Sequence, residues 1–416
     1  MKMIRLMLAW LMTGLSPGCA KDAQEALSPE QQQFKASLQK FSEQRYALLQ
    51  EISKAFDLPI PPPAHRFFEA AIAGDEKGVA EQFRLLRPGD QQHDRIPELE
   101  NALWPPVQET NAAYKEMWEE WKKDVALMKL FYEPILTAMP PGSIYFGGTD
   151  PGRFLITLMN DVGSSNVFCL TQNGLADHVY LSYLRVVYGK HIWIPSAEDM
   201  AQAFQHFVSD VLAGRSPHQD ALTIHDERVQ VTGKFAVMEI NSILAQRIVD
   251  NNQDKHACFV EESYVLNWMY PYLEPCGPIL KLTPSAKTTL AEATVAQDMA
   301  FWKKTIGQLE QQPGFAENPV ARLAFAKLRV AIAGLYDYHK MYEHAGTAYQ
   351  QALHLAPYSI ETALRYSEML EKQEKGAAAI DVLRRCATHE TQAWQPYGTD
   401  ELKKRIEDLS AKQPVE

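Results

Sequence analysis

The chain lacks the sequence patterns of several common enzyme classes. Its 416 residues contain no C-x-x-C pair and no H-E-x-x-H zinc motif, and the one G-x-S-x-G match, at 14–18, lies near the N-terminus and not at the strand-to-helix turn that a nucleophile elbow requires. The G-x-G-x-x-G fingerprint of dinucleotide-binding proteins is absent as well. Zinc chemistry, thioredoxin-type redox chemistry and α/β-hydrolase chemistry therefore have no support, and we expect no metal and no cofactor.

The chain also lacks an excess of positive charge. Lys and Arg number 41 against 52 Asp and Glu, which gives a formal net charge of -11. An acidic chain without a basic stripe suits neither nucleic acid nor an anionic membrane surface. No segment after the N-terminus has some 18 consecutive apolar residues, so we expect membrane attachment only through a lipid anchor.

The N-terminus has the pattern of an export signal. Lys2 and Arg5 precede an apolar stretch over 6–15 that is too short to span a bilayer. The small residues before Cys19 resemble a lipoprotein processing site, with lipid attached to Cys19. The alternatives are a signal cleaved after Ala20 and an uncleaved anchor. The pattern predicts an exported protein, periplasmic or membrane-tethered, of a bacterial cell envelope.

Four further cysteines follow. Cys169 and Cys258 lie in apolar, strand-like runs and are expected to be buried thiols, while Cys276 and Cys386 lie in other regions of the chain. Export would permit a disulfide, but the sequence assigns no pairing.

The pattern of apolar, polar and turn-forming residues along the chain predicts four regions. They are a signal peptide over 1–19, a helical region over 20–139, an α/β domain over 140–285 and a helical region resembling tetratricopeptide (TPR) repeats over 286–412. In the α/β domain, strands are predicted at 143–146, 167–171, 191–194, 258–261 and 279–282, with a short extra strand at 228–232. Helices are predicted at 151–159, 175–188, 197–212 and 237–250, with a capping box of Ser196 and Asp199 at the start of the third, and 217–228 is predicted to be an exposed loop. The aromatic, turn-rich segment 268–275 is interpreted as core packing or, alternatively, as a lid over the edge of the sheet. This alternation predicts a doubly wound, mainly parallel sheet.

Aromatic residues recur at helical spacing in one long helix predicted over 107–138. Core packing is the simpler interpretation of this stripe, and an exposed carbohydrate platform is the alternative. The stripe consists of Tyr114, Trp118, Trp121, Val125, Met128 and Phe131.

The stretch 326–359 matches the 34-residue TPR pattern. Its small residues are Ala333, Ala345 and Ala352, its aromatic residues are Tyr336 and Tyr349, and a proline ends the unit. The next 34 residues keep the pattern more weakly. Since two repeats are fewer than a free-standing array needs, we expect these helices to pack against the α/β domain.

A glycine turn follows the first predicted strand. Gly147 and Gly148 permit a sharp turn, and Thr149 and Asp150 lead into a helix for which Asp150 is a possible cap. Because ligands of open α/β sheets bind outside the carboxyl ends of the strands, these residues and Arg153 form a predicted ligand-binding site. The other interpretation is that Asp150 is only a helix cap.

A second turn follows the next strand in the same way. Gln172, Asn173 and Asp177 are predicted to reach the same cleft, with Asn173 as a possible helix cap. The site would hold a polar ligand such as a sugar.

No catalytic residue is assigned, but three carboxylates are candidates. Glu261 and Glu262 end a later strand, and one of them could pair with Asp150 across the sheet edge for glycoside hydrolysis. Glu261 and Glu262 cannot pair with each other, because adjacent strand residues point to opposite faces.

Several segments between 104 and 282 carry a family resemblance. The chain resembles a bacterial family of exported, TPR-containing proteins of unassigned activity. The glycine-turn segment is also similar to the soluble region that follows the membrane spans in glycosyltransferase-like membrane proteins of the protein O-mannosyltransferase type. This chain has no such spans, so the resemblance does not imply transferase activity, whereas the TPR resemblance implies protein binding or assembly. The segments are 142–154, 170–173, 176–177, 237–241, 260–263 and 268–271.

These observations predict a non-catalytic scaffold or accessory protein of the cell envelope. It would bind a protein partner through its TPR-like helices and a polar ligand or glycan at the carboxyl edge of the sheet. The alternative is a carbohydrate-active enzyme that uses Asp150 with Glu261 or Glu262.

Overall fold

The computed structural model describes most of the chain, and the structural statements below concern that part. It comprises residues 27–89, 95–147, 152–216, 222–225, 228–231, 234–261, 265–389, 395 and 397–412. This part is mostly helical and contains a five-stranded sheet and a two-stranded hairpin. Within these ranges, no helix combines the length and the apolar character that a membrane span requires.

The N-terminal part is a layer of helices, as predicted. They are α1 (Pro29–Phe56), α2 (Pro62–Ala73), α3 (Glu76–Leu86), α4 (Trp104–Lys115) and α5 (Val125–Ala138). The start of α1 is fixed by a capping box, because Ser28 Oγ accepts from Gln31 N and Gln31 Oε1 accepts from Ser28 N. The apolar stripe of α1 is buried, as its spacing predicts.

The prediction of a single long helix over 107–138 is wrong. A π-helical turn at Glu116–Glu120 follows α4, and Lys122 and Lys123 have positive φ angles before α5 begins. Five residues of the predicted stripe are buried, which confirms core packing for them, whereas Trp118 is half-buried. Trp121 and Phe131 lie 5.2 Å apart between ring centroids.

The sheet is mixed, not mainly parallel. Its strands are β1 (Ile144–Gly147), β2 (Phe168–Thr171), β5 (Cys258–Glu261), β6 (Leu273–Cys276) and β7 (Ile279–Leu282), in the order β2-β1-β5-β7-β6. β1 pairs in parallel with β2 and β5, while β7 pairs antiparallel with β5 and β6. Four predicted strands are confirmed to within one residue at either end.

Four helices connect the parallel strands. α6 (Arg153–Gly163) joins β1 to β2, and α7 (His178–Tyr188), α8 (Ala197–Leu212) and α9 (Lys234–Asn252) lie between β2 and β5. The Ser196–Asp199 capping box predicted for α8 is confirmed. The short extra strand predicted at 228–232 is confirmed as β4 (Arg228–Val231), which forms a hairpin with β3 (Leu222–His225), a strand in the segment predicted as a loop.

The prediction of a strand at 191–194 is wrong. Ile192 and Ile194 are buried and Trp193 is half-buried, but the backbone joins α9 rather than a sheet. Trp193 N donates to Asn252 Oδ1 at 2.8 Å, and Asn252 Nδ2 donates to Trp193 O at 2.9 Å. One buried amide side chain thus satisfies the groups that a neighbouring strand would have satisfied.

In the aromatic segment 268–275, for which a lid and packing were the two interpretations, Met269 and Leu273 are buried, and Trp268 and Tyr270 are half-buried against the core. A 3₁₀ turn at Asn267–Tyr272 buries Met269, and β6 follows it. The sequence did not predict β6, which contains Pro275. A proline is compatible with β6 because this strand is at the edge of the sheet.

The C-terminal part consists of helices packed in pairs. They are α10 (Glu292–Leu309), α11 (Pro319–Tyr338), α12 (Tyr342–Leu355), α13 (Ile360–Lys372), α14 (Gly376–Ala387) and α15 (Thr399–Ala411). α11 packs on α12, and α13 packs on α14. α11 also contacts β6 and β7, so the prediction that these helices pack against the α/β domain is confirmed.

Candidate functional site

The carboxyl ends of the three parallel strands lie side by side. Gly147 is in register with Thr171 of β2 and with Glu261 of β5. The segments that follow these three strands therefore begin at one edge of the sheet, as predicted. The chain passes from β1 to β2 on one side and to β5 on the other side of β1, which is the arrangement in which open sheets bind ligands.

A cavity of about 400 Å³, named here the edge cavity, lies beyond the end of β2. Three predicted ligand-binding residues, Arg153, Asn173 and Asp177, line it together. Its other wall comes from the N-terminal helical layer and includes Arg95, Trp104, Gln108 and Glu109. The structure thus brings residues of two predicted regions to one site.

Glu116 fixes the start of α6, where Arg153 is the first residue. Its carboxylate is buried and accepts from Gly152 N at 3.2 Å, Phe154 N at 3.1 Å and Leu155 N at 2.8 Å. The helix begins at Arg153, two residues later than predicted, and Gly152 precedes it with φ 109°. A side chain at Gly152 would also meet the ring of Phe131. A carboxylate at a helix N-terminus is favourable because it neutralises free amide groups.

Several predicted residues fall outside the described part of the chain. They are Cys19, Gly148, Thr149, Asp150 and Glu262. The cap predicted for Asp150 is thus not among the described contacts, and Glu116 accepts the three amide bonds given above.

Arg153 is held at the floor of the edge cavity by two neighbours. Its guanidinium donates to Thr171 Oγ1 and lies 3.8 Å from the centroid of the Phe154 ring. Tyr180 OH accepts from Thr171 N at 2.7 Å and donates to Thr171 Oγ1 at 3.1 Å. Burial raises the pKa of Tyr180, although Arg153 opposes the shift, so its phenol stays protonated at neutral pH.

Arg95 and Trp104 form the opposite wall. The Arg95 guanidinium lies 5.0 Å from the centroid of the Trp104 ring, a cation–π distance. Burial lowers the pKa of Arg95, Asp177 opposes this and Arg87 adds to it. The Arg95 side chain is therefore a partly buried cation in the wall of the edge cavity.

The turn after β2 is held by a buried residue of α9. Asn241 Oδ1 accepts from Ala176 N at 2.6 Å, and Asn241 Nδ2 donates to Asn173 O at 3.2 Å. Asp177 Oδ1 accepts from Val179 N at 2.8 Å and caps α7. The cap predicted at Asn173 is therefore wrong, because α7 begins three residues later than predicted.

Two other predicted residues do not line the edge cavity. Gln172 is fully buried in the 3₁₀ turn Gln172–Gly174. Gly147 lies beneath Arg153, and a Cβ there would stand 2.9 Å from the Tyr145 ring. Gly147 is thus needed for close packing at the end of β1.

The catalytic candidate Glu261 is occupied by partners inside the fold. Its exposed fraction is 2%, and its Oε2 accepts from Tyr145 OH at 2.8 Å. Its Oε1 lies 3.0 Å from Nζ of Lys327 on α11. The residue that ends β5 therefore links the sheet to the C-terminal helices.

A buried charge cluster lies behind the edge cavity. Arg45 donates to Glu109 Oε2 and to Asp161 Oδ2, and Tyr183 OH donates to Glu109 Oε2 at 2.9 Å. The Glu109 carboxylate is therefore paired with Arg45 of α1 and hydrogen-bonded to Tyr183 of α7. These contacts leave little of its charge for a ligand. The cluster joins the N-terminal helices to α6 and α7.

The described cysteines do not form a reactive centre. Cys169, Cys258, Cys276 and Cys386 are free thiols. Burial raises the pKa of Cys258 to about 12 and that of Cys386 to about 11, so neither is a thiolate at neutral pH. In the ranges that the structure covers, no group of His, Cys, Asp or Glu is arranged to hold a metal ion.

Four residues that matter at this site were not predicted: Arg95, Trp104, Glu116 and Asn241. Of these four, only Trp104 had a local sequence signal, because the two prolines that follow it indicate the start of a helix. Comparison of the chain with protein-family models, with curated proteins and with solved structures finds no match, so the proposed function must come from the geometry.

Proposed function

We propose that this protein is a non-catalytic accessory protein of a bacterial cell envelope that binds a glycan in the edge cavity. The observation that carries the proposal is the convergence of Arg95, Trp104, Arg153, Asn173 and Asp177 on one cavity. Binding sites for small polar molecules combine apolar walls with a few fixed polar groups in this way.

A sugar matches these walls chemically. Its hydroxyls can both donate and accept, and the Arg95 guanidinium that lies over the Trp104 ring adds donors to the wall. Arg153 supplies fixed donors, Asp177 supplies an acceptor and Asn173 supplies both. Because Asn241 and Thr171 hold this side of the cavity in place, little conformational entropy is lost when a ligand binds.

The burial of Glu261 supports the non-catalytic interpretation. Glycoside hydrolysis needs two carboxyl groups about 5–9.5 Å apart that reach the substrate. Glu261 is instead hydrogen-bonded to Tyr145 and paired with Lys327. The alternative proposal, a carbohydrate-active enzyme, then depends on Asp150 with Glu262.

We further propose a protein partner for the C-terminal helices. The TPR-like spacing of 326–359 coincides with α11 and α12, and its small residues Ala333, Ala345 and Ala352 are fully buried. The neighbouring pair of α13 and α14 follows the weaker second repeat. Proteins built from such pairs bind other proteins along extended surfaces.

The remaining parts of the proposal concern location and topology. The resemblance to exported TPR-containing proteins and the N-terminal signal pattern support export, with lipid attached to Cys19. The passage of the chain to both sides of β1 supports a doubly wound origin for β2, β1 and β5.

A glycan array tests the proposed ligand. We expect the mature chain to bind one class of immobilised glycan, and Arg95→Gln to weaken that binding about tenfold, because the cavity wall loses a charged hydrogen-bond donor. The matched control is Arg66→Gln, because Arg66 is exposed and does not line the edge cavity. An array without bound glycans, or equal losses in the two variants, would count against the proposal.

A further inference from the structure

A separate cavity of about 490 Å³, named here the β5 cavity, lies where β5 begins. It is formed by the end of α9, the start of β5 and the end of β7, whose Leu282 is in register with Cys258 of β5. Because β1, β2 and β5 are parallel, this cavity lies at the edge of the sheet opposite to the edge cavity. Its volume is within the range of about 300–1,000 Å³ that is typical of small-molecule sites.

Aromatic and apolar side chains form much of the wall of the β5 cavity. Trp268 and Tyr272 contribute half-buried rings, and His256 contributes a third. Val249 and Leu282 are buried and add apolar surface. A ligand with a large apolar side chain would therefore remove that side chain from water in this cavity.

Hydrogen bonds hold two of these rings in place. His256 Nδ1 lies 2.7 Å from Gly142 O and is the donor, because a carbonyl oxygen can only accept. Tyr272 O accepts from Thr283 N at 2.7 Å and from Thr283 Oγ1 at 2.8 Å. The wall is thus formed before a ligand binds, which lowers the entropic cost of binding.

Four charged side chains of both signs line the same cavity: Asp250, Asp254, Lys255 and Lys281. Across the described residues, none of these four side chains takes part in an ion pair or a hydrogen bond. Opposite charges that line one cavity without pairing with each other leave room for a ligand that carries both signs.

Lys281 offers a site for the negative group of such a ligand. It is half-buried on β7, and its cross-strand neighbour on β6 is Glu274. Opposite charges at such positions favour pairing, but Glu274 Oε2 lies 3.1 Å from Nζ of Lys287 instead. The Lys281 ammonium group therefore remains available to a carboxylate in the β5 cavity.

The end of α9 offers a site for the positive group. Asp250 lies in the last turn of α9, and that turn contains no basic residue. The carbonyl groups at a helix C-terminus carry partial negative charge, so a carboxylate there is unfavourable until a cation approaches. Asp254 follows the helix and adds a second carboxylate to the cavity wall. This part of the wall favours an ammonium group.

From these walls and charges we infer that the β5 cavity binds a small zwitterion with a large apolar side chain. Free amino acids and short peptides share this chemistry. The carboxylate of the ligand lies toward Lys281, its ammonium group toward Asp250 and Asp254, and its side chain toward Trp268 and Tyr272. The inference is independent of the proposed glycan binding, because the β5 cavity and the edge cavity share no lining residue.

Titration calorimetry on the mature chain tests the charges of the ligand. The probes are phenylalanine and glycylphenylalanine, each also in a form acetylated at the amine and a form amidated at the carboxylate. We expect at least one unblocked probe to bind, and its two blocked forms to bind at least tenfold more weakly. The tighter of the two unblocked probes shows whether the ligand is a free amino acid or a peptide. No binding of either, or equal affinities of blocked and unblocked forms, would overturn the inference.

Two variants test the location of this site. We expect Lys281→Gln to weaken the unblocked probe about tenfold, and Asp250→Asn about fivefold because Asp254 remains. The matched controls are Lys303→Gln and Asp408→Asn, since both residues are exposed and lie outside the β5 cavity. Unchanged affinity in Lys281→Gln and Asp250→Asn, or equal losses in the controls, would overturn binding in this cavity.

Discussion

Replacing Arg45 by methionine is expected to lower the free energy of unfolding by about 3–5 kcal/mol, the cost of removing one partner from a buried ion pair. Arg45 is 6% exposed and bridges Glu109 and Asp161. Without it, the carboxylates of Glu109 and Asp161, whose side chains are 15% and 19% exposed, would lose the cation that pairs with both of them. Urea unfolding followed by tryptophan fluorescence measures the loss.

The charge of Arg45 is present throughout the accessible pH range. Burial lowers its pKa, but Glu109, Tyr183 and Asp161 raise it more, and the pKa lies well above its usual range. A raised pKa of a cation stabilises the fold at every pH below the value in the unfolded chain. The effect of Arg45→Met should therefore be fully developed at pH 7.

Two further variants make the Arg45 prediction specific. Arg66→Met removes an exposed arginine and should change the free energy of unfolding by less than about 0.5 kcal/mol. Adding Glu109→Gln and Asp161→Asn to Arg45→Met should restore part of the loss, because it removes the unpaired charges. A loss below 1 kcal/mol in Arg45→Met, or no recovery in the triple variant, would contradict this account of the cluster.

A second loss of about 3–5 kcal/mol is expected for Arg329→Met in α11. Arg329 is fully buried, and its Nη1 donates to Asp298 Oδ2 at 2.7 Å. Its Nε donates to Gln351 Oε1 at 2.8 Å, and Tyr336 OH donates to the same Asp298 oxygen at 2.6 Å. Removing Arg329 would leave the Asp298 charge buried, with only the phenol to stabilise it.

The Arg329 cluster joins α10, α11 and α12, so its loss should loosen the C-terminal helices first. Arg384→Met is the control, because Arg384 is exposed on α14. Adding Asp298→Asn to Arg329→Met should recover part of the stability, again measured by urea unfolding. If Arg329→Met unfolded at the same urea concentration as Arg384→Met, the cluster would not stabilise these helices.

Local patterns in the sequence predicted most elements of the fold. The apolar run at 258–261 and the capping box at Ser196 gave their elements directly, since each signal lies within a few residues. The strand predicted at 191–194 failed because Asn252, far away in sequence, satisfies that backbone. The edge strand β6 was missed because Pro275 argues against a strand unless its edge position is known.

The candidate site could be predicted on one side only. Arg153, Asn173 and Asp177 follow from the rule that ligands bind at the carboxyl ends of parallel strands. Arg95 and Trp104 come from the helical layer, and Glu116 reaches the start of α6 from 36 residues away in sequence. Contacts of this kind depend on how the layers pack, and a single sequence does not encode packing locally.

Hydrogen–deuterium exchange with the tightest-binding glycan tests the central claim most directly, because it locates the ligand without prior assumptions. We predict that the glycan slows exchange in peptides covering 101–109, 153–154 and 171–180, which contain residues that line the edge cavity. Slower exchange confined to 292–389, or to the region around 250–258 and 281–284 at the opposite edge of the sheet, would contradict binding at the carboxyl ends of the strands.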